Sequence, residues 1–521
     1  MAMTAERFAG TTIDPDQLTL EAVRAGALRG RPVTVLGLAR SGAALARFLV
    51  DAGADVTIYD GRSASELGEA IAGLGGRAVR LQLGPEVEPA ASWEGSALVT
   101  TSPSITPDYP TTEPRLRAEL QALVAARARG GAGAPALVSE ADLFLRLCPA
   151  PTVGVTGTKG KTTTASLTAA ILACDLDHPA VLGGNIGRPL IDELAALTPE
   201  NRVVVELSEL QLPTLSRGTT VGVYTNVTSD HLDRHGSLDA YRTVKRRLAE
   251  LVAADGAVVL NADDAVVASF AAASPAPAVS YTTGHARPGG LGVEAGWIVA
   301  NGVSRLSLAG GGLATTLEGG RIVALDDLAI PGRHNISNAL AATAVGLLFG
   351  IEPVAIRVAV RGFRGVEHRL ETVAVIDGVR FVNDSQGTQP DAVIAALQAF
   401  EPPIVLIAGG RDKGVDLSAL AREVGSRAAA AVVIGESGPD LARQFEAAGL
   451  ARIERADDLD AAVQCAAALA RDAMTEGSTA GATVLLSPAA ASFDMFTDYA
   501  ERGRAFKASV ARIAASRSAG S

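Results

Sequence analysis

The sequence predicts an α/β protein of three domains built on mostly parallel sheets, and three observations predict it. The chain is 521 residues long, enough to bury several cores of ordinary domain size. Its composition is 48% hydrophobic but only 4% aromatic, which suits layers of Val-, Ala- and Gly-rich strands and helices better than an aromatic-rich sandwich. Short apolar strands also run repeatedly into glycine loops that open helices, the pattern of βαβ units.

Taken in order, residues 31–37 read as a strand, 41–52 as a helix and 55–59 as a second strand ending at Asp60. The turn Gly37-Leu38-Ala39-Arg40-Ser41-Gly42 follows the dinucleotide fingerprint, except that Ala39 takes the place of the middle glycine. Asp60 lies where ribose recognition would want a carboxylate. The degraded fingerprint favours a nucleotide or sugar nucleotide over tightly held NAD, and a plain α/β turn stays open. A strand over 97–101 runs into a loop beginning at Ser102, the Gly/Ala-rich stretch 129–135 reads as a surface connection, and the first domain ends near Cys148.

The second domain opens with Gly157-Thr158-Lys159-Gly160-Lys161-Thr162-Thr163 between a strand and a helix. Glycines here let successive N–H groups turn toward phosphate oxygens, and the helix adds the positive end of its dipole. Lys161 would reach the β/γ-phosphates and Thr162 would hold Mg²⁺. The spacing departs from the strict pattern, since Val155 stands five residues before Gly160. The text continues with Gly-Gly-Asn185-Ile-Gly, a strand over 201–207 containing Glu206, and a strand over 221–224 that runs into Asp230, His231, Asp233 and His235. Residues 241–252 read as a helix carrying Lys245, residues 271–325 as a small antiparallel addition, and His334-Asn335 leads into a helix from Ser337. One loop threonine is too few ligands for Mg²⁺, so Glu206 and His231 are candidates to join it. The two histidines and two aspartates near 231 also leave a zinc hydrolase open, although a third histidine at the usual spacing is missing.

A third α/β unit begins near Arg361 and holds Glu367-His368-Arg369-Leu370-Glu371, Asn383-Asp384-Ser385-Gln386-Gly387-Thr388 and a strand over 403–408. Lys413 follows that strand, Ser492 and Tyr499 follow another over 483–486, and the end beyond Ile513 reads as frayed. If Arg369 and Asp384 act on a nucleotide bound to the second domain, the domains must close around it and exclude water.

A net charge of −11 argues against nucleic acid or an anionic membrane as the main partner. Cys148, Cys174 and Cys465 are odd in number and far apart, which gives no disulfide framework and makes a reducing cytoplasm the expected location. No apolar run reaches the roughly 18 residues of a membrane span.

Together these stretches resemble the Mur ligases. Thr-Gly-Thr-Lys-Gly-Lys-Thr, Gly-Gly-Asn-Ile-Gly, Asn-Val-Thr-Ser-Asp-His-Leu-Asp, His-Asn-Ile-Ser-Asn-Ala, Glu-His-Arg-Leu-Glu and Asn-Asp-Ser occur in the family's order. The resemblance covers nearly the whole chain. It implies residues 1–148 as a Rossmann-like UDP-binding domain, 149–360 as a P-loop ATPase domain with a mostly parallel sheet, and 361–521 as a Rossmann-like domain that binds the amino acid. It implies a cytoplasmic monomer that uses ATP and Mg²⁺ in peptidoglycan synthesis, without nucleic acid or membrane insertion. The members it is most similar to add D-glutamate to UDP-N-acetylmuramoyl-L-alanine through an acyl phosphate.

Carried over by motif, residues 157–163 with His334, Asn335, Arg369 and Asp384 would bind ATP. Thr162, Glu206, His231 and a carbamylated Lys245 would hold metal, and Lys161, Glu206, His231 and Lys245 would be catalytic. Gly37, Ala39, Arg40, Ser41, Gly42, Asp60, Arg62, Ser102 and Asn185 would hold the UDP-sugar; Thr388, Lys413, Ser492 and Tyr499 would hold glutamate. The family's Ser-Ser-Phe is Ser208-Glu209-Leu210 here, and its Lys-Ala-Thr is Gln386-Gly387-Thr388. Loss of that lysine removes a cation near the incoming amino acid and leaves L-glutamate or another amino acid open. A nicotinamide-dependent dehydrogenase and a non-catalytic nucleotide-binding protein are the rival classes.

Overall fold

The computed structural model describes residues 12–130, 133–228, 237–306, 313–316, 320–330, 332–411, 416–477, 481–492 and 494–518. The chain divides into two compact units, Met1–Phe363 and Arg364–Ser521. Among the described residues the strands form sheets of five, nine, two and six.

In the first unit, β1 (Pro32–Leu36), β2 (Asp55–Asp60), β3 (Arg80–Leu83), β4 (Leu98–Thr101) and β5 (Ala136–Ser139) make a parallel sheet in the order β3-β2-β1-β4-β5. Strand β4 is buried along its whole length and β1 along all but its first residue. That is why their text reads as unbroken Val, Leu and Thr rather than as an alternation.

The same unit holds β6 (Thr152–Thr156), β7 (Ala180–Gly184), β8 (Arg202–Glu206), β9 (Val221–Tyr224), β10 (Ala257–Asn261), β11 (Ala278–Tyr281), β12 (Gly290–Glu294) and β13 (Trp297–Asn301). A two-stranded ribbon of β14 (Ser304–Leu306) and β15 (Leu313–Thr316) follows, then β16 (Gly320–Ala324). The nine-stranded order is β16-β13-β12-β11-β10-β9-β6-β8-β7. It is parallel from β7 to β12 and antiparallel only from β12 through β13 to β16. The expected antiparallel addition over 271–325 is thus a rim on the main sheet, and β11 and β12 join in parallel, because their backbone groups continue the ladder of β10. Behind β6 the helix Lys161–Leu172 packs on the helix Arg333–Leu348. A Cβ on Gly346 would lie 2.6 Å from Ile171 Cγ2, so glycine lets these helices approach; burying a side chain such as Ile171 is worth about 1.5–3 kcal/mol.

The second unit holds β17 (Glu371–Ile376), β18 (Val379–Asn383), β19 (Ile404–Gly409), β20 (Ala428–Ile434), β21 (Ile453–Arg455) and β22 (Ala482–Leu486), ordered β17-β18-β22-β19-β20-β21. Only β17 runs antiparallel to its neighbour. The end expected to fray beyond Ile513 is instead the last part of the helix Tyr499–Ser518. Alanine favours helix there, Ile513 packs on the core, and Arg517 pairs with Asp377 at 3.4 Å. Among the described residues no helix is long and apolar enough to cross a membrane.

Candidate active site

Strands β8, β6 and β9 lie side by side in parallel, so the segments leaving their carboxyl ends meet at one edge. The loop after β6 needs both of its glycines. Gly157 and Gly160 have φ of 147° and 86°; a Cβ on the first would collide with Thr225 Oγ1, and on the second would lie 2.5 Å from Asn338 Oδ1. The segment after β9 clamps the loop. Asn226 Oδ1 accepts from Lys159 N at 2.9 Å, Asn226 Nδ2 donates to Lys159 O at 2.9 Å, and Thr158 N donates to Asn226 O at 2.8 Å. The helix Lys161–Leu172 starts at Gly160 with no side-chain cap, and the positive end of its dipole favours an anion there. Lys161 Nζ arches over the loop and donates to the carbonyls of Gly157 (3.1 Å) and Thr158 (2.8 Å).

Glu206 closes β8 beside Val155. Its Oε1 accepts from Asn185 Nδ2 at 2.9 Å, while Oε2 is buried with no hydrogen-bond partner among the described residues. A buried acceptor left unpaired costs about 1–3 kcal/mol, and more when charged. A cation would remove that cost, and a carboxylate with the Thr162 hydroxyl is a hard oxygen set that fits Mg²⁺. His231, with Asp230, Asp233 and His235, lies outside the described residues; among the described residues no three His, Cys, Asp or Glu side chains gather as a metal site.

Lys245 is fully buried on the helix Leu238–Leu251. Its Nζ donates to Gly157 O at 3.0 Å and Thr156 Oγ1 at 3.3 Å and sits 5.4 Å from the centre of the Tyr241 ring. It therefore packs against the loop after β6 and is not a solvent-facing lysine. The Tyr241 hydroxyl in turn lies 3.0 Å from Thr158 Oγ1.

His334 and Asn335 part company. His334 borders a cavity of about 440 Å³ with Asn261, Asp263 and Thr283. Asn335 is buried and accepts from Asn338 Nδ2 at 2.9 Å; Asn338 Oδ1 accepts from Thr164 Oγ1 at 3.2 Å.

Gly37, Asp60 and Arg62 line a cavity of about 460 Å³, reached also by Leu210 from the segment after β8. The helix Arg40–Asp51 begins there at Ala39 without a side-chain cap, so Arg40, Ser41 and Gly42 form its first turn. Gly37 has φ 87°, and a Cβ on Gly42 would collide with Gly37 O. Asp60 turns inward: Oδ2 accepts from Leu38 N at 2.8 Å, and Arg62 Nε and Nη2 donate to its two oxygens at 3.0 and 2.8 Å. Burial pushes this carboxyl up, but the Arg62 guanidinium and the N–H groups of Leu38 and Arg62 outweigh it and hold it below the usual range. Ser102 Oγ donates to Gly37 O at 3.4 Å. Asn185, expected among the UDP-sugar residues, donates to Glu206.

In the second unit Arg369 sits between His368 and Leu370, whose φ values of 64° and 45° are left-handed; each such residue costs on the order of 1–3 kcal/mol. Asp384 is buried, with Oδ1 accepting from Leu370 N at 3.1 Å and Oδ2 from Ser487 Oγ at 2.6 Å. Burial pushes its carboxyl up to about 6, against those bonds and the charge of Arg369. Gln386 Nε2 donates to Glu367 O at 3.3 Å, and Thr388 N donates to Gln386 O at 2.8 Å. Ser492 is buried in the loop after β22, and Tyr499 opens the final helix; Lys413 lies outside the described residues.

Sequence reasoning missed Arg502. It is fully buried, and its guanidinium donates to Ser385 Oγ (3.0 Å), Ser385 O (2.9 Å) and Ala490 O (3.3 Å), tying together the two loops that carry Thr388 and Ser492. Burial lowers its pKa to about 10. The available signal was its place three residues after Tyr499, on the same helix face.

A glycine loop opening a helix, a buried carboxylate and a buried lysine thus meet at the ends of β6, β8 and β9, and the class of protein follows from the sequence matches. Residues 155–346 match the Mur ligase middle domain and residues 368–490 the Mur ligase glutamate ligase domain. The chain belongs to the Mur ligase family and is an ATP-dependent amino-acid ligase of peptidoglycan synthesis. It is 38% identical over 480 residues to UDP-N-acetylmuramoylalanine--D-glutamate ligase of Pelotomaculum thermopropionicum, covering 92% of this chain and 96% of that one. To the ligase of the same name from Symbiobacterium thermophilum it is 39% identical over 478 residues, covering 91% and 97%. Among solved structures, UDP-N-acetylmuramate-alanine ligase MurC of Thermotoga maritima matches with a TM-score of 0.49 at 19% identity, over 93% of this chain and 99% of that one.

Proposed function

We propose that the chain joins D-glutamate to UDP-N-acetylmuramoylalanine at the expense of ATP, in the cytoplasm. The relatives named for that reaction support it across nearly their whole length. The observation that carries it is the convergence of Lys161, Lys245 and Glu206 on the loop after β6. A dehydrogenase is disfavoured because the Leu38 N–H, which a pyrophosphate would approach, already donates to Asp60.

Residues 157–163 bind the ATP phosphates, and Lys161 exchanges its two carbonyls for their negative oxygens. His334 and its cavity take the nucleoside end. Thr162 and Glu206, with His231, would hold Mg²⁺, which supplies charge neutralisation for the transferring phosphoryl group. Asn185 fixes one oxygen of Glu206 and so aims the other. The cradle of residues 37–42, Asp60, Arg62 and Ser102 holds the UDP-sugar, so that its carboxylate takes the γ-phosphate and ADP is left. The glutamate amine, having lost its proton, adds to the acyl phosphate, and inorganic phosphate leaves as the amide forms. Arg369 and Asp384 serve ATP, and Thr388, Lys413, Ser492 and Tyr499 serve glutamate. The work divides among residues 1–148, 149–360 and 361–521.

Lys245 carries a carbamate in this reading, which converts a buried ammonium into a carboxylate beside the loop. Lys245→Ala should then lose about 10²–10³ in kcat, and short-chain carboxylates should restore part of it; absence of rescue at every concentration would remove the carbamate from the mechanism.

The deciding experiment is phosphate release with product mass, using ATP, Mg²⁺ and UDP-N-acetylmuramoylalanine against D-glutamate, L-glutamate and a wider amino-acid panel. Turnover with D-glutamate alone is expected. Preference for another amino acid would overturn the D-glutamate assignment and point to Gln386, whose amide is held on Glu367 O and carries no charge. Silence with every amino acid would reject this acceptor.

A further inference from the structure

Asn383 closes β18 with a fully buried side chain that none of the roles above employs. Its Nδ2 donates to His368 Nδ1 at 2.9 Å, Glu371 Oε2 at 3.0 Å and Gly503 O at 3.3 Å, and its Oδ1 accepts from Ser385 N at 3.2 Å. The amide orientation follows from these partners: the Ser385 N–H requires an acceptor, whereas the Glu371 carboxylate and the Gly503 carbonyl offer nothing else. One carboxamide thus joins the turn carrying Arg369, the loop of residues 384–388 and the helix Tyr499–Ser518.

The turn is the part that needs holding. His368 and Leu370, on either side of Arg369, both have positive φ without being glycine, and such backbone persists only where its surroundings over-determine it. Glu371 Oε2 accepts from His368 N at 2.9 Å, Asp384 Oδ1 accepts from Leu370 N at 3.1 Å, and Gln386 N donates to His368 O at 3.0 Å. The imidazole lies so close to the final helix that a Cβ on Gly503 would stand 2.7 Å from His368 Cε1. Asn383 binds both ends of this arrangement, His368 and Glu371 on the turn and Ser385 on the loop.

We infer that Asn383 is a positioning residue for ligation: its carboxamide sets the strained turn of Arg369 against the loop of residues 384–388, so that the arginine serving ATP and the loop serving the amino acid share one geometry. The inference rests on the proposed ligase reading. Asn383 acts through His368 and Ser385 rather than on a substrate, and misplacing a reacting group by about 1 Å costs on the order of 10²-fold in rate.

The test compares full-length wild type with Asn383→Ala and Asn383→Asp, measuring kcat and KM for ATP, D-glutamate and the UDP acceptor per folded molecule. Asn383→Ala should lower kcat about 10²-fold and raise KM for ATP and D-glutamate, leaving KM for the acceptor, whose cradle belongs to the first unit, unchanged. A merely structural role would lower the folded fraction and leave these constants alone, and that result overturns the inference.

Asn383→Asp keeps the inference testable where the alanine variant does not fold. Its carboxylate would face Glu371, but once protonated it donates a hydrogen bond as the amide did. Its activity relative to wild type should therefore rise about tenfold as the pH falls from about 8.5 to about 6. The charged groups around the position are His368, Glu367 and Glu371 of the turn, Asp384 of the loop, and Arg502, Arg504 and Lys507 of the helix; dividing by the wild-type profile removes their titration. A flat ratio overturns the inference. A wild type silent with every amino acid would overturn the ligase reading itself, a result distinct from an active wild type with indifferent variants.

Discussion

Asp60 of the first unit and Asp384 of the second both stand at the carboxyl end of a parallel strand, at 7% and 4% exposure, yet their charges are held in opposite ways. Burial raises the pKa of each. At Asp60 the bidentate Arg62 and two backbone N–H groups reverse the effect. At Asp384 a serine hydroxyl, one N–H and the field of Arg369 do not, and the carboxyl stays at about 6. The difference lies in the donors: a forked guanidinium in contact with both oxygens supplies a full charge, whereas neutral donors supply only dipoles. Asp60 is therefore satisfied by its own neighbours and shapes the cradle, while Asp384 keeps an unmet demand for positive charge that suits a working site.

The largest effect that would sharpen this contrast is expected from Asp384→Asn, which should lower kcat about 10²–10³-fold while stabilising the fold at high pH. The amide keeps both contacts, accepting from Leu370 N and donating to Ser487 Oγ. A folded pKa raised from 3.8 to about 6 means that the stability the protonated group contributes is fully present below 3.8 and is lost as the pH rises through about 6. At pH 8 the ionised group then costs about 3 kcal/mol relative to its protonated form. Urea midpoints should place the variant above wild type at pH 8, with the gain shrinking toward pH 4. A gain independent of pH, or none at all, would show that Asp384 ionises without strain and would collapse the contrast with Asp60.

What was legible in the sequence follows the same division between local and distant causes. The strand, glycine loop and helix around Gly157, Gly160 and Lys161 could be read directly because consecutive residues set them, and the place of Glu206 because it ends the neighbouring strand. The α/β class with mostly parallel sheets was legible for a similar reason, since strands buried on both faces carry a continuous apolar text. Lys245 needed the family resemblance, because local text does not say which face of its helix is buried. For Arg502 only its helix face pointed to the site, because its partner Ser385 lies 117 residues away along the chain, and the tie of Asn383 to Gly503, 120 residues on, left no local mark. The contact of Asn185 was equally out of reach, since its side chain meets Glu206, 21 residues further along the chain.

The smallest expected effect belongs to Asp60→Asn. Because the folded pKa of Asp60 lies below its usual value, the stability it contributes is present above about pH 4 and lost as the pH falls through the depressed pKa. The Arg62 side chain in that pair is 50% exposed, so solvent screening holds the loss on substitution to about 1 kcal/mol at neutral pH. Leu38 N retains an acceptor in the amide oxygen, so the turn survives and Arg62 alone is loosened. The kinetic consequence should be a rise of about tenfold in KM for the UDP acceptor with kcat unchanged, the pattern of lost binding that is equal in ground and transition states. Should kcat instead fall as steeply as in Asp384→Asn, Asp60 would be taking part in the chemistry, and the separation between a carboxylate that builds a cradle and one that works in a site would no longer hold.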